Sequence, residues 1–255
     1  MIFDTHAHYD DEAFKEDRNE ILMSFRENNI EGAVNVSSNI ASVQATLNII
    51  KKYPFMYGAV GIHPNETGEL DEEKLQWLKR VAGTPKVVAI GEIGLDYYWD
   101  EPERDIQKKW FVSQLNMARE VKLPVIIHSR DAAKDTLDIM KGEKCGEIGG
   151  VIHCFSYGVD MAREYLNMGF FLGIGGVLTF QNAKKLKEVA AYVPLEQIVL
   201  ETDCPYLSPV PNRGKRNSSL NLPYVVNALA EIKKITEQEV IEATNRNAKK
   251  LYCLA

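Results

Sequence analysis

The sequence predicts an α/β protein built as a closed (β/α)8 TIM barrel with an extra C-terminal helix. Three observations predict it. Eight short β-rich apolar segments alternate with longer stretches of helical periodicity. Their ends, at 6, 37, 63, 92, 128, 153, 175 and 203, recur every 22 to 36 residues, which is the length of a strand, a crossover helix and two short turns. The whole chain of 255 residues also matches the usual size of such a barrel, about 250 residues.

The strand segments are IFDTH (2–6), GAVNVS (32–37), YGAVGIH (57–63), KVVAIGE (86–92), LPVIIH (123–128), GGVIHC (149–154), GFFLGIG (169–175) and QIVLETD (197–203). Helices are expected over 16–29, 40–53 and 103–121. In the last of these, Ile106, Trp110, Leu115 and Ala118 recur at helical intervals and would face the sheet. Thr236 and Glu239 stand at capping-box spacing and open a final helix over 236–252. An open doubly wound sheet would carry a glycine-rich phosphate turn after its first strand, where this chain reads HAHYDD. No low-complexity linker interrupts the rhythm, so residues 1–255 read as a single barrel domain.

Composition narrows the function. Hydrophobic residues at 45% and charged residues at 26% are ordinary globular values. The apolar runs fall far short of the ~20 residues that cross a bilayer, and the N-terminus lacks the basic start and long apolar stretch of a secretory signal, so a cytoplasmic protein without membrane contact is expected. Four cysteines, with no CxxC pair, read as reduced thiols and exclude a cysteine-based zinc site. A net charge of -6 argues against broad adhesion to nucleic acid, so a polyanion would have to be gripped locally. Nothing in the sequence calls for an obligate protein partner.

The chemistry concentrates at the strand ends. There are five histidines, and His6, His8, His63, His128 and His153 each lie at or just beyond the carboxyl end of an expected strand. In a closed barrel those ends converge on one face, where active sites of this fold are built. Any one histidine alone is as well explained by a hydrogen bond in the core, but five at matching positions are not. Glu92 ends the fourth strand and Asp203 the eighth, each after an apolar run where a carboxylate requires a compensating cation or a salt bridge to Arg130 or a lysine. Such a set exceeds the four ligands of a tetrahedral zinc and suffices for two metals if one carboxylate bridges them. A metal pair ~3.5–4 Å apart suits hydrolysis, and Asp203 is placed to take a proton from the attacking water. No nucleotide loop, nucleophile elbow or flavin motif competes.

With DTHAH (4–8), GIHP (61–64), GEIGLDYY (91–98), HSR (128–130), HCF (153–155), ETDCPYL (201–207) and RGKRN (213–217), the sequence resembles the TatD family of metal-dependent deoxyribonucleases, within the amidohydrolase-like barrels. By that resemblance His6, His8, Glu92 and Asp203 would hold one divalent cation, and Glu92, His128 and His153 a second. Donor types leave Zn2+, Mn2+ and Mg2+ open. The resemblance implies phosphodiester hydrolysis as a nuclease trimming DNA from an end (a 3'-5' exonuclease type). One departure follows RGKRN: family members commonly continue with an acidic residue and proline, and here the chain reads SSLNLPYVV.

For substrate, Arg130, Arg213 and Arg216 are candidate phosphate contacts, since a guanidinium grips phosphate oxygens in a bidentate fork. His63 and Asp96 are expected to contact substrate or orient the ligands. Tyr97, Tyr98 and Trp99 offer stacking for an unpaired base, although packing is expected for at least two of them. Cys154 and Cys204 are expected to be small core residues. The acidic body favours single-stranded or frayed DNA ends. Two alternatives are an amide or ester hydrolase, such as a deacylase acting on aminoacyl-tRNA or a small molecule, and a metal-binding protein without catalysis. Glu92 stands where many cyclic-amide hydrolases have a modified bridging lysine, which favours the nuclease.

Overall fold

The computed structural model describes residues 1–254. Eight parallel strands follow in sequence order around one sheet: β1 Ile2–Ala7, β2 Ile30–Val36, β3 Met56–Val60, β4 Val87–Asp96, β5 Val125–Arg130, β6 Gly150–Ile152, β7 Phe171–Ile174 and β8 Ile198–Leu200. Each pairs with the next. The ring closes through β1 and the segment leaving β8. Thr202 and Asp203 both donate their backbone N–H to the His6 carbonyl (3.3 and 2.9 Å), His8 donates to the Cys204 carbonyl (2.8 Å), and Ala7 bridges Cys204. This is the expected (β/α)8 TIM barrel.

The helices are α1 Arg18–Met23, α2 Ile40–Lys52, α3 Glu72–Val81, α4 Arg104–Val121, α5 Ala133–Gly142, α6 Val159–Asn167, α7 Lys184–Tyr192, α8 Leu222–Lys233 and α9 Glu237–Leu251. The expected helix over 16–29 is broken. It yields the six residues of α1 and a 3-10 turn at Arg26–Asn28, which stops because Asn29 adopts the left-handed conformation (φ 61°) and redirects the chain into β2. Within α4, Trp110, Leu115 and Ala118 are buried as expected, whereas Ile106, in the first turn, is 37% exposed. The capping box on α9 forms: the Thr236 hydroxyl accepts from the Glu239 N–H, and the Glu239 carboxylate accepts from the Thr236 N–H.

Two apolar layers hold the barrel. The larger lies between strands and helices and includes Ile90, Ile127, Leu172 and Leu200 from the strands, with Leu78, Leu115, Val189 and Leu229 from the helices. The smaller fills the interior with Phe3, Val34, Ala59, Ile126, Val151, Phe171 and Val199, and Ala248, Leu251 and Tyr252 complete it. The extra helix therefore seals one end of the ring, with the Tyr252 hydroxyl donating to the Thr5 carbonyl (2.8 Å). Polar groups are left to the opposite, carboxyl end.

A buried network ties that end together. Asp4 accepts from the backbone N–H of His6 (3.2 Å) and Thr202 (3.1 Å) and from the hydroxyls of Thr202 (2.7 Å) and Ser219 (2.6 Å). Burial nevertheless pushes the Asp4 carboxyl up to about 7. Ser219 belongs to the stretch that departs from the family pattern. It is wholly buried, and with Asn217, which donates to the Thr202 carbonyl (2.9 Å), it fastens that stretch beneath the β8 exit. The loop is thus anchored by the side chains of Asn217 and Ser219.

Glycine opens the close approach of β4 to β5. Gly94 has φ +147°, and a Cβ there would overlap the His128 carbonyl oxygen. Overpacking of this kind costs about 1–3 kcal/mol, and a left-handed backbone penalises L side chains further. Gly94→Ala is expected to lower Tm by roughly 4–10 °C in a thermal melt; an unchanged melting temperature would contradict the packing of these two strands.

Candidate metal centre

The first two ligand candidates arrive together on β1. His6 and His8 bring their Nε2 atoms to 3.1 Å from one another. His8 Nδ1 donates to the Val36 carbonyl (2.8 Å), a bond that fixes the tautomer and leaves Nε2 with its lone pair facing the cluster. Barrel closure supplies the third. The backbone bond from Asp203 to His6 sets the Asp203 Oδ1 3.3 Å from His8 Nε2 and 3.7 Å from His6 Nε2. Asp203 has φ 55°, a sparsely populated conformation that turns the chain out of β8.

Glu92 reaches both sides of the cluster. It does not end β4 as expected, because the strand continues to Asp96 and Glu92 lies within it. Its Oε2 is 3.5 Å from His6 Nε2 and 3.9 Å from His8 Nε2. Its Oε1 is 2.6 Å from His128 Nδ1 and 3.2 Å from His153 Nε2. All six residues expected to hold metal are therefore brought together. Asp96 joins them through its Oδ2, 3.1 Å from His128 Nε2, and His63 lies edge-on to the His128 ring with centroids 4.4 Å apart. The Asn65 N–H donates to His63 Nδ1 (3.2 Å), so the imidazole proton sits on Nε2.

Sequence reasoning missed Glu201. It is buried, its Oε1 accepts the Cys154 N–H (2.6 Å) and lies 3.4 Å from His153 Nδ1, and its Oε2 has no hydrogen-bond partner. A Cβ at Gly173 would overlap that oxygen, so the glycine clears the space Glu201 occupies. The signal was present in ETD: Glu201 is two residues before Asp203, in phase with Val199 of the barrel interior.

The charges sort by location. Burial raises the Glu92 carboxyl, but the His153 and His128 charges outweigh it and hold it well below the usual range. For Asp203, burial is likewise outweighed by the His8 hydrogen bond and the surrounding imidazoles, so its pKa falls. Burial draws His8 down, yet the hydrogen bond and charge of Asp203, then Glu92, push it up to about 9. His128 and His153 rise for the same reason, chiefly through Glu92. Burial and the His153 charge lower His6, while burial and the His128 charge push His63 down to about 3.

A divalent cation fits these residues. Buried His6 Nδ1, His153 Nδ1 and Glu201 Oε2 lack partners, and such atoms are rare in folded proteins. Three sets place one ligand atom from each member within 4.8 Å of the others: His6, His8 and Asp203; His6, His153 and Glu201; and His63, Glu92 and His128. Imidazole and carboxylate donors in this mixture suit zinc, manganese or iron.

Around the cluster the expectations divide. Arg130 lies on the same face with its guanidinium 3.8 Å from the Tyr98 ring centroid. Arg213 stacks on Phe180 (4.4 Å), and among the described residues neither arginine is held in an ion pair. Arg216 differs: it donates to Asp17 through both terminal nitrogens and to the Ala13 carbonyl, which makes it a clamp on the loop after β1. Tyr97 is half-buried with its hydroxyl on Asp135 (2.7 Å), but Tyr98 and Trp99 are 56% and 65% exposed, so packing accounts for one of the three aromatics and not two. Cys204 is buried as expected. Cys154 is half-buried, and burial pushes its thiol up to about 12, far from a reactive thiolate.

A barrel with such a cluster at its carboxyl mouth is a metal-dependent hydrolase, and its relatives carry that description. The chain is 43% identical over 252 residues to the "Uncharacterized metal-dependent hydrolase YabD" of Bacillus subtilis, covering 99% of each chain. It is 33% identical to the "Uncharacterized metal-dependent hydrolase YcfH" of Escherichia coli K12, covering 99% of this chain and 96% of the relative. The crystal structure of YjjV, a TatD homolog from Escherichia coli K12, superposes with a TM-score of 0.94 at 28% identity, covering 100% of this chain and 98% of that one. A family model described as "TatD related DNase" matches residues 3–253, and the chain belongs to that family. Among the described residues, no helix is long and apolar enough to cross a membrane.

Cation binding must displace protons from the raised imidazoles. The stability His8 contributes to the metal-free fold is full below its unfolded value of 6.5 and is lost as pH rises through about 9. Calorimetric titration with Mn2+ at pH 7, in buffers of different ionisation enthalpy, should therefore show net proton release. Apparent affinity should climb as pH approaches 9, and an affinity indifferent to pH would contradict this charge distribution.

Proposed function

We propose that this protein hydrolyses phosphodiester bonds of DNA with two divalent cations, one held by His6, His8, Glu92 and Asp203 and the other by Glu92, His128 and His153. The observation that carries this reading is the reach of Glu92, whose two oxygens face opposite halves of the cluster, 3.5 Å from His6 and 2.6 Å from His128. A carboxylate so placed is suited to a shared ligand. Bound there, a cation pair supplies Lewis-acid polarisation of a phosphoryl oxygen and makes water acidic enough to react near neutral pH.

The chain's own groups supply the rest. Asp203 is held ionised by its imidazole neighbours and keeps 18% of its side chain open to the mouth, so its carboxylate is available to take the proton of the attacking water. His63 stays neutral and presents an N–H donor from Nε2, suited to a phosphate or leaving-group oxygen. Asp96 orients His128. Glu201 lies 3.4 Å from His153 Nδ1, on the side of the ring opposite the Nε2 that faces Glu92. Arg130 and Arg213 are placed to meet phosphate; Arg216 shapes the loop that carries Arg213.

The family description supports DNA as the substrate. A net charge of -6 disfavours a long duplex track and favours single-stranded or frayed ends, trimmed in the manner of a 3'-5' exonuclease. The test follows end-labelled single- and double-stranded DNA with Mg2+, Mn2+ or Zn2+ and with chelator. Activity is expected with metal and not with chelator, and Asp203→Asn is expected to lower kcat by roughly 100-fold or more, as loss of a general base does. Glu92→Ala should abolish turnover and weaken metal binding together. Intact DNA alongside cleaved ester or amide substrates, with the same mutational sensitivity, would replace this reading with the amide or ester hydrolase.

A further inference from the structure

The loop after β4 combines a fixed backbone with unburied aromatic rings. Asp96 Oδ1 accepts the N–H groups of both Tyr98 (2.9 Å) and Trp99 (3.2 Å). The Tyr97 N–H donates to the Arg130 carbonyl (2.9 Å). Buried Gln107 accepts the Asp96 N–H (2.9 Å) and donates to the carbonyls of Asp96 and Pro102 (both 3.0 Å). Arg104 lies over Tyr97 (4.1 Å) and pairs with Asp100 (2.7 Å). The backbone is thus held at several points.

The two rings it carries remain in solvent. Trp99, at 65%, is the most exposed large apolar side chain among the described residues, and Tyr98 is 56% exposed. They meet edge to face, with centroids 5.1 Å apart and planes at 90°. Arg130 covers one face of Tyr98 at 3.8 Å, and the Trp99 ring next to it is open to solvent. Neither ring is spent on the core.

Their position gives the reason. The carboxylate that holds both backbone N–H groups touches His128 with its other oxygen (3.1 Å), and Arg130 lies two residues beyond His128 on β5. A flat open ring on the loop that Asp96 anchors and a cation two residues beyond His128 match a nucleotide in two parts: base on the ring, phosphate on the guanidinium.

We propose that Trp99 and Tyr98, backed by Arg130, form a subsite that stacks an unpaired nucleobase next to the scissile phosphate. This rests on the nuclease reading and adds to it a physical source of strand preference. A base stacked on Trp99 has left its partner and its neighbours, so a duplex end must fray before it is cut, and a single strand need not.

The test compares a short oligodeoxynucleotide with one of the same length whose terminal residues are abasic tetrahydrofuran sites. The parent should favour the natural oligonucleotide, and Trp99→Ala should reduce the natural-to-abasic ratio of kcat/KM by roughly 10-fold, mainly through KM. Trp99→Phe should restore most of that ratio. A separate readout needs no turnover: oligo(dT) should quench the tryptophan fluorescence of the parent more than that of Trp99→Phe. An unchanged ratio in Trp99→Ala, or equal fractional quenching in parent and Trp99→Phe, would overturn the subsite. A parent that cuts neither oligonucleotide would overturn the nuclease reading, and the quenching comparison would then decide the stacking alone.

Discussion

A carboxylate buried among imidazoles at the mouth of the barrel is the interaction on which the rest depends. Glu92 is 3% exposed, with His6 and His8 on one side of its carboxyl group and His128 and His153 on the other. Desolvation alone would drive such a group neutral, and the His153 and His128 rings reverse that by holding protons more tightly than free imidazole. The result is a preorganised site in which a buried carboxylate is balanced by the imidazoles around it, the electrostatic form that suits a divalent cation.

The scaffold serves that site by closing where it does. The ring is joined by backbone bonds from Thr202 and Asp203 to His6 and from His8 to Cys204, so the join that completes the barrel also fixes Asp203 beside the histidine pair. Beneath the join, Asp4 draws together β1, the β8 exit and Ser219. At the other end, Tyr252 and Leu251 fill the interior. The metal-ligand candidates gather at one mouth because apolar side chains fill the interior below it.

Much of this was legible in the chain because two periodicities carry it. Strand spacing announced the barrel, and the rule that strand ends share a face brought His6, Glu92, His128, His153 and Asp203 together from positions up to 197 residues apart in sequence. What escaped was finer than a strand. Glu201 hid because a carboxyl group two residues before a ligand looks like part of the approach to it, until Gly173 is seen to clear its space. The helix over 16–29 gave way after Met23 to a 3-10 turn over Arg26–Asn28, a change that helical periodicity does not encode. Arg216 was read by its charge, and its partner Asp17, 199 residues earlier, is visible only in three dimensions. The exposure of Trp99 was likewise hidden, since an aromatic at a strand exit packs or protrudes according to the loop that follows.

The account stands on Glu92 lying between two cations, and crystallography reads that directly. A crystal grown or soaked with Mn2+ and measured at the manganese absorption edge should give two anomalous peaks about 3.5–4 Å apart, with one oxygen of Glu92 toward each or one shared by both. A single peak at full occupancy, or a pair that leaves Glu92 outside the coordination of either, would contradict it.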